Sequence, residues 1–263
     1  MSAIQEIIED SGGPVIRWGL LLLCLAVVGY ALTNANWHTI RGLDFSAVWI
    51  YRGALFNGLL VTLGLTLIAA AFGILAGTVL AVLSQSPVGP VRWLVAGYVE
   101  VVRDTPLMVQ LLWIHFALPI ITGYNTTPVE SGMLAIALHA GAYFTEVVRA
   151  GIQSVPHGQW DAAYALGLPM WTRWTRVILP PALRIVLPPL ASLTISFFKG
   201  TAILSVLQIG ELMSVAGRIS NATFRPVEIF SFVALVYLII GYAFSRLAGR
   251  LERYMARSEG RAS

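Results

Sequence analysis

Apolar residues dominate this chain, and the polar breaks between apolar runs set its organisation. Runs occupy residues 15–33, 57–83, about 107–119, 131–148, 183–207 and 227–247. A helix needs ~20 mostly apolar residues to cross a hydrocarbon core ~30 Å thick. The pattern predicts an all-α integral membrane protein with six transmembrane helices. Residues 1–14 read as an amphipathic helix, with Ile4, Ile7 and Ile8 on one side and Gly12-Gly13-Pro14 as its stop. Residues 34–56 are mixed, and Trp37, Trp49 and Tyr51 suit a membrane interface, so this stretch is expected to be a loop with a surface-lying helix. The second run carries Gly58, Gly64, Ala69, Ala70, Ala71, Gly73 and Gly77. Small residues let helices approach closely in lipid, so this span is expected to pack against others. A helical run over residues 91–102 ends at Arg103-Asp104-Thr105-Pro106, and the third span continues from there. Residues 122–128 form a polar loop, and another holds Glu211, Arg218 and Arg225.

The longest polar break is residues 149–181. Pro156 closes the preceding helix, and residues 159–166 are good helix formers with Asp161 in the first turn, where a carboxylate favours the helix dipole. Gly167 fits the left-handed position that ends a helix. A second short amphipathic helix, residues 170–179, places Trp171, Trp174 and Ile178 at helical spacing and is stopped by Pro180-Pro181. Two readings fit: a cytoplasmic loop with interfacial tryptophans, or a rigid docking knob whose Ala162-Ala163 admits a partner surface to backbone reach.

Charge adds a direction. The chain is 57% hydrophobic and 11% charged, with a mean hydropathy of +0.76. Soluble domains carry roughly 25% charged residues, so a soluble fold is excluded. The basic residues flank apolar runs instead of clustering on a polar face, which argues for topology signals and against nucleic acid. With six spans, both termini, residues 84–104, the central segment and the tail share one side. That side holds Arg17, Arg92, Arg103, Arg149, Arg173, Arg176, Arg184, Arg246, Arg250, Arg253, Arg257 and Arg261; the other holds Arg41, Arg52, Arg218 and Arg225. Positive residues mark the cytoplasmic side, so the termini and the central segment are expected there. Cys24 is the only cysteine, so no disulfide framework exists. The acidic start MSAIQEIIED argues against a cleaved signal peptide.

The chain lacks H-E-x-x-H, a G-x-S-x-G elbow and paired intramembrane aspartates, so no catalytic residue is assigned and an enzyme is not expected. No His/Cys/Asp/Glu cluster has metal-ligand spacing, which leaves His115 and His139 as packing residues. No G-x-x-x-x-G-K-[ST] phosphate loop occurs, so the chain itself has no known means of cradling ATP. An ionisable residue inside a span is a functional candidate. Lys199 is the only lysine and lies in the fifth run, Glu146 and Arg149 lie at the inner end of the fourth, and Gln110 and Thr201 lie in or near spans. If the cargo is a zwitterion, Lys199 or Arg149 can meet a carboxylate and Glu146 an amine. Equally, Glu146 can pin helices through Arg103 or Arg149, Lys199 can pair with a neighbouring helix, and Thr201 can bond back within its own helix. An ion-coupled secondary transporter is the rival class, but no internal repeat is visible and that class leaves the central segment unexplained.

Four motifs narrow the field. Asp161-Ala162-Ala163, Gly167 and Val177-Ile178-Leu179-Pro180 resemble the "EAA…G…I-LP" cytoplasmic loop of ABC-importer permeases, with Asp for Glu and Val for Ile. The segment from Glu100 through Arg103-Asp104-Thr105-Pro106 to Gln110 resembles the "E..RGTPLLVQ" of polar amino acid permeases. The run from Ala142 through Glu146 and Arg149 to Ile152 resembles their "AY.AE..RGGI", and Lys199 to Leu204 resembles "K.TSL". The resemblance implies a type I importer fold: a five-span permease domain over residues 57–249, preceded by an extra span and external loop within residues 1–56 and followed by a basic tail, 250–263. It implies a subunit of an inner-membrane importer for polar amino acids working by alternating access, with another small solute (an opine or compatible solute) as the alternative cargo. It further implies a second permease subunit, identical or paralogous, two ATPase subunits that hold ATP and Mg, and an extracytoplasmic binding protein. Gln159, Asp161, Ala162, Ala163, Gly167 and Pro180 would form the coupling to the ATPase.

Overall fold

The computed structural model describes residues 13–34 and 36–259. The expected amphipathic helix over residues 1–14 falls almost wholly outside them. The chain divides into two units, residues 1–44 and 45–263. In the first, α1 (Gly13–Asn34) is a 22-residue helix and α2 (Trp37–Arg41) is one turn, capped by the Asn36 side chain accepting from Thr39 N at 3.2 Å.

The second unit is built from helices, in order α3 (Ser46–Ile50), α4 (Arg52–Leu83), α5 (Gly89–Asp104), α6 (Leu107–Leu112), a π turn (Trp113–Ala117), α7 (Leu118–Thr122), α8 (Pro128–Gln153), α9 (His157–Ala165), α10 (Met170–Thr172), a second π stretch (Arg173–Ile178), α11 (Leu179–Gly200), a 3₁₀ segment (Thr201–Leu207), α12 (Leu212–Thr223) and α13 (Pro226–Glu259). Among the described residues, four helical segments are long and apolar enough to cross a membrane: Arg52–Leu83, Pro128–Gln153, Met170–Leu207 and Pro226–Arg250. The pair Gly89–Asp104 and Leu107–Thr122 gives a fifth if it counts as one crossing.

The centre of the unit is α8 packed along α4. Gly73 and Gly77 of α4 admit the Phe144 ring and backbone of α8, and a Cβ at Gly77 would lie 2.7 Å from Phe144 Cβ. Of the small residues expected to pack, Gly58, Ala69, Ala70, Gly73 and Gly77 are buried, whereas Ala71 faces outward and Gly64 meets no neighbour. Leu65, Ala69, Ile136, Phe144, Leu190 and Leu204 belong to one core cluster joining α4, α8, α11 and the 3₁₀ segment. A second cluster gathers Leu55, Leu212, Val215 and Ile229 from α4, α12 and α13. The opposite face of α4 exposes Leu67, Ile68 and Leu75, as a lipid-facing helix does.

The sequence expectations need correction in four places. First, α4 begins at Arg52, not residue 57, because the short α3 feeds straight into it. Second, the third span is broken: α5 and α6 meet at 103°. Pro106 cannot continue the α5 hydrogen-bond ladder, and Thr105 turns extended (φ −97°, ψ 130°) as a residue before proline must. Third, Pro180-Pro181 do not stop a helix. The chain is helical from Met170 to Leu207, because the π stretch just before the prolines widens the turn where their missing N–H groups would have bonded. Fourth, the segment with Glu211 and Arg218 is no surface loop. It is α12, whose Leu212, Val215, Ala216 and Ile219 are buried between α4 and α13. The tail expected at residues 250–263 continues α13 as helix to Glu259.

Candidate functional site

The Asp161 to Gly167 motif forms a helix that ends in a Schellman turn. Gly167 takes φ +62°, its N–H donates to Tyr164 O at 3.0 Å, and Leu168 N–H donates to Ala163 O at 3.2 Å. That pairing satisfies the last carbonyls of α9 and needs a left-handed residue, which glycine adopts without a Cβ penalty. Gln159, Asp161, Ala162 and Gly167 are exposed; Ala163 is buried, and Pro180 is exposed as the second residue of α11. Beneath α9, the Trp160 and Trp174 rings meet edge to face at 5.4 Å over Val155, Ile178 and Ala182. The Arg173 guanidinium sits 3.6 Å from the Tyr164 ring centroid and donates to Leu168 O at 3.0 Å. Arg173 thus ties the turn after α9 to the start of the long helix. Sequence reading did not single it out; its position six residues after Gly167 was the available signal. Tyr164, Leu166, Met170 and Trp171 leave a broad apolar surface at the tip.

The broken span explains Gln110. Its Nε2 donates to Val102 O at 2.6 Å and Thr105 O at 2.9 Å, carbonyls left without helical donors by the break at Pro106. Glu146 pairs with Arg149 through two hydrogen bonds, one of them Nε to Oε2 at 3.2 Å, and lies 3.7 Å from Arg103 Nη1. Arg149 also donates to Gln153 at 3.2 Å, and the Arg103 guanidinium lies over the Tyr143 ring. These contacts join α5 to the inner half of α8. Thr201 is fully buried and donates to Phe198 O at 2.8 Å, within its own helical segment. His115 shares a hydrogen bond with Ser131 Oγ at 2.9 Å, and His139 packs against Tyr143 and Phe197.

Lys199 differs from these. Among the described residues it has no hydrogen-bond or ion-pair partner. Its stem runs over Gly241 of α13, where an added Cβ would lie 3.4 Å from Lys199 Cε. It opens into a cleft of about 720 Å³ between α11, the 3₁₀ segment, α12 and α13, lined also by Met213, Phe230, Tyr237, Tyr242 and Ser245. That volume suits a small organic ligand. Tyr237, Gly241 and Ser245 recur every four residues on α13, a helical spacing that is visible in the sequence itself. The residues expected to carry function therefore fall at the α9 tip, in the α5–α8 ion cluster and in the Lys199 cleft, with Gln110 apart at the span break and Thr201 buried within its own helical segment.

Close to the cleft, Glu211 is fully buried and caps α12, accepting from Met213 N at 2.7 Å and from Ser214 N. Leu212 N–H donates to Thr62 Oγ1 of α4 at 3.1 Å. Burial raises the Glu211 carboxyl to about 7, against the opposing pull of the two backbone N–H groups and Arg218.

Known proteins share this arrangement. Residues 71–257 match the family described as "Binding-protein-dependent transport system inner membrane component". The glutamate/aspartate import permease GltK of Escherichia coli is 35% identical over 220 residues, covering 81% of this chain and 98% of its own. The glutamine permease GlnP of Escherichia coli is 36% identical, covering 81% and 97%, and the L-cystine permease TcyB of Bacillus subtilis is 36% identical, covering 77% and 88%. A crystal structure of an amino acid ABC transporter with histidines superposes with a TM-score of 0.76 at 35% identity, covering 81% of this chain and 99% of that one. The MetNI methionine ABC transporter, 18% identical with a TM-score of 0.67 and covering 78% and 97%, shares the fold. The projecting α9 turn, the apolar helices that carry it and these likenesses converge: the chain belongs to the family of inner-membrane components of binding-protein-dependent transport systems.

Proposed function

We propose that this chain is the permease subunit of an ATP-driven importer of polar amino acids. The observation that carries the reading is Lys199, an ammonium without a partner among the described residues, in a mostly apolar cleft whose other polar groups are Tyr237, Tyr242 and Ser245. Leaving a cation unpaired among lipid-spanning helices is costly, so a site that keeps one is built for an anionic group delivered from outside. The relatives are named for glutamate and aspartate, glutamine and cystine, all of which carry an α-carboxylate and an α-amine. Lys199 meets the carboxylate. Glu146 and Arg149 hold the inner end of the path, closing it when Glu146 pairs with Arg103 as well as Arg149.

Transport is by alternating access, driven from a second chain. Two ATPase subunits, holding ATP and Mg, dock on the α9 tip through the exposed Gln159, Asp161, Ala162 and Gly167, with Ala163 packed beneath them. A second permease subunit completes the path, and an extracytoplasmic binding protein delivers cargo. Counting α1 as a crossing and the α5–α7 pair as one gives six spans with both termini in the cytoplasm. The test is reconstitution of the complex in proteoliposomes with ATP inside. Lys199→Met should abolish uptake and the stimulation of ATP hydrolysis by loaded binding protein, with the complex still assembling. Uptake at the native rate by this variant would remove the carboxylate assignment.

A further inference from the structure

The apolar helix α11 carries a polar line along one exposed face. Ile185, Pro189, Ser192, Ser196 and Lys199 are all exposed and follow each other by four and three residues, which keeps them on one side of a helix. At 1.5 Å per residue the line is about 21 Å long, some two-thirds of a ~30 Å hydrocarbon core. Residues of the opposite side, Val186, Leu190 and Phe197, are buried against the core.

The line is more polar than its side chains suggest. Pro188 and Pro189 lie inside the helix. Neither has an N–H, so the carbonyls of Arg184 and Ile185 lose their i+4 donors. The Ile185 carbonyl points along the exposed face toward Pro189. Further along, Ser196 Oγ donates to Ser192 O at 3.1 Å, which leaves the lone pairs of Ser196 turned outward. Bare carbonyls facing hydrocarbon cost several kcal/mol each, which is why irregular backbone at membrane depth lines water or protein. The exposed face of α4, by contrast, shows Leu67, Ile68 and Leu75 at its middle. One face of α11 thus combines freed carbonyls, hydroxyls and an unpaired ammonium where the middle of α4 presents hydrocarbon.

We infer that the Ile185–Lys199 face of α11 is the wall of a water-filled path, and that it reads a zwitterion at its Lys199 end: Lys199 takes the carboxylate and Ser196, on the same face one turn away, takes the ammonium, while Ser192 and the Ile185 carbonyl keep the rest of the path wet. This deepens the transport reading and rests on it. It adds Ser196 as a specificity-determining position, and Ser192 and Pro189 as positions that make the path polar, Pro189 acting through the carbonyl it leaves open. Acceptors alone cannot hold an anion, and a lysine alone cannot distinguish an amino acid from a simple carboxylate. The two together on one face select a substrate that carries both charges.

Cysteine accessibility tests it. Cys24 is the only native thiol, so Cys24→Ser gives a background without reactive sulfur. Ser192→Cys, Ser196→Cys and the control Leu75→Cys, on the exposed face of α4, are made singly in that background and reconstituted with the ATPase and binding protein. Each is treated with a charged, membrane-impermeant methanethiosulfonate. Thiols in water ionise and thiols in lipid do not, so both serine positions should react on the order of tenfold or more faster than Leu75→Cys. Glutamine delivered by a binding protein under turnover should slow Ser196→Cys. In a companion measurement, Pro189→Ala restores an N–H to Ile185 O and should lower uptake at an unchanged amount of assembled complex. Labelling of both serine positions as slow as Leu75→Cys, whether because lipid or a second copy seals the face, overturns the inference. Fast labelling without any uptake would instead sink the transport reading and keep the water-filled face.

Discussion

At the scale of single residues, conformation and charge set firm expectations. Gly167 has φ +62°, and a β-branched residue there would cost about 1–2 kcal/mol and open the Schellman turn. Gly167→Val should therefore leave the complex foldable yet abolish uptake, with hydrolysis no longer responding to cargo; coupled uptake at the native level would contradict a docking role for this turn. Glu211 gives a pH dependence. Its folded-state value of about 7 lies above the ordinary 4.5, so its ionised form is disfavoured by folding. Its contribution to stability is fully present below 4.5 and is lost as pH rises through about 7. Between those two values the slope is about 1.4 kcal/mol for each pH step of one. Thermal unfolding of the detergent-solubilised protein should show this loss in the native chain, and Glu211→Gln should flatten it. Gly167 was legible because a glycine after a run of helix formers has one common use. Glu211 was not, since burial of a carboxylate depends on α4 and α13 folding over it, and neither is near it in sequence.

Elements show where local signals compete. Periodicity and length were enough to find α4, α8, α11 and α13, because ~20 apolar residues in a row have few alternatives. The failures have one origin: punctuation residues mean different things in different backbones. Pro106 breaks its span at 103°, whereas Pro180-Pro181, which look stronger, interrupt nothing because a π stretch precedes them. The α12 stretch looked like loop because its polar residues cap and pack inward instead of facing solvent, with Glu211 and Ser214 both buried. The broken span carries its own prediction. Gln110→Leu strips the donor from Val102 O and Thr105 O, and each bared carbonyl should cost about 1–3 kcal/mol. A lowered melting temperature together with proteolysis near residues 103–106 is expected; an unchanged one would mean the two carbonyls find other partners. At the α4–α8 contact, Gly77→Val should prevent membrane accumulation, since its side chain would meet Phe144 backbone 2.8 Å from the new Cβ.

For the whole molecule, exposed apolar surface has two addresses. The lipid-facing sides of α4 and α13 are expected in any bilayer protein, but Leu166, Met170 and Trp171 crowd the tip of the α9 turn, where the chain leaves its spans. Trp171→Glu should reduce recovery of the ATPase in affinity purification of the complex without changing the amount of this chain in the membrane. Normal recovery would move the docking surface elsewhere. The tip also stands at one end of an uninterrupted 38-residue helical segment, Met170–Leu207, that carries Lys199 near its other end. At 1.5 Å per residue such a rod is about 57 Å long. No loop lies between the two ends to absorb motion. On the docking proposed above, a tilt imposed at Trp171 is carried toward Lys199 along this one helical segment, whose π stretch, Pro188-Pro189 pair and 3₁₀ end are the points where it can bend.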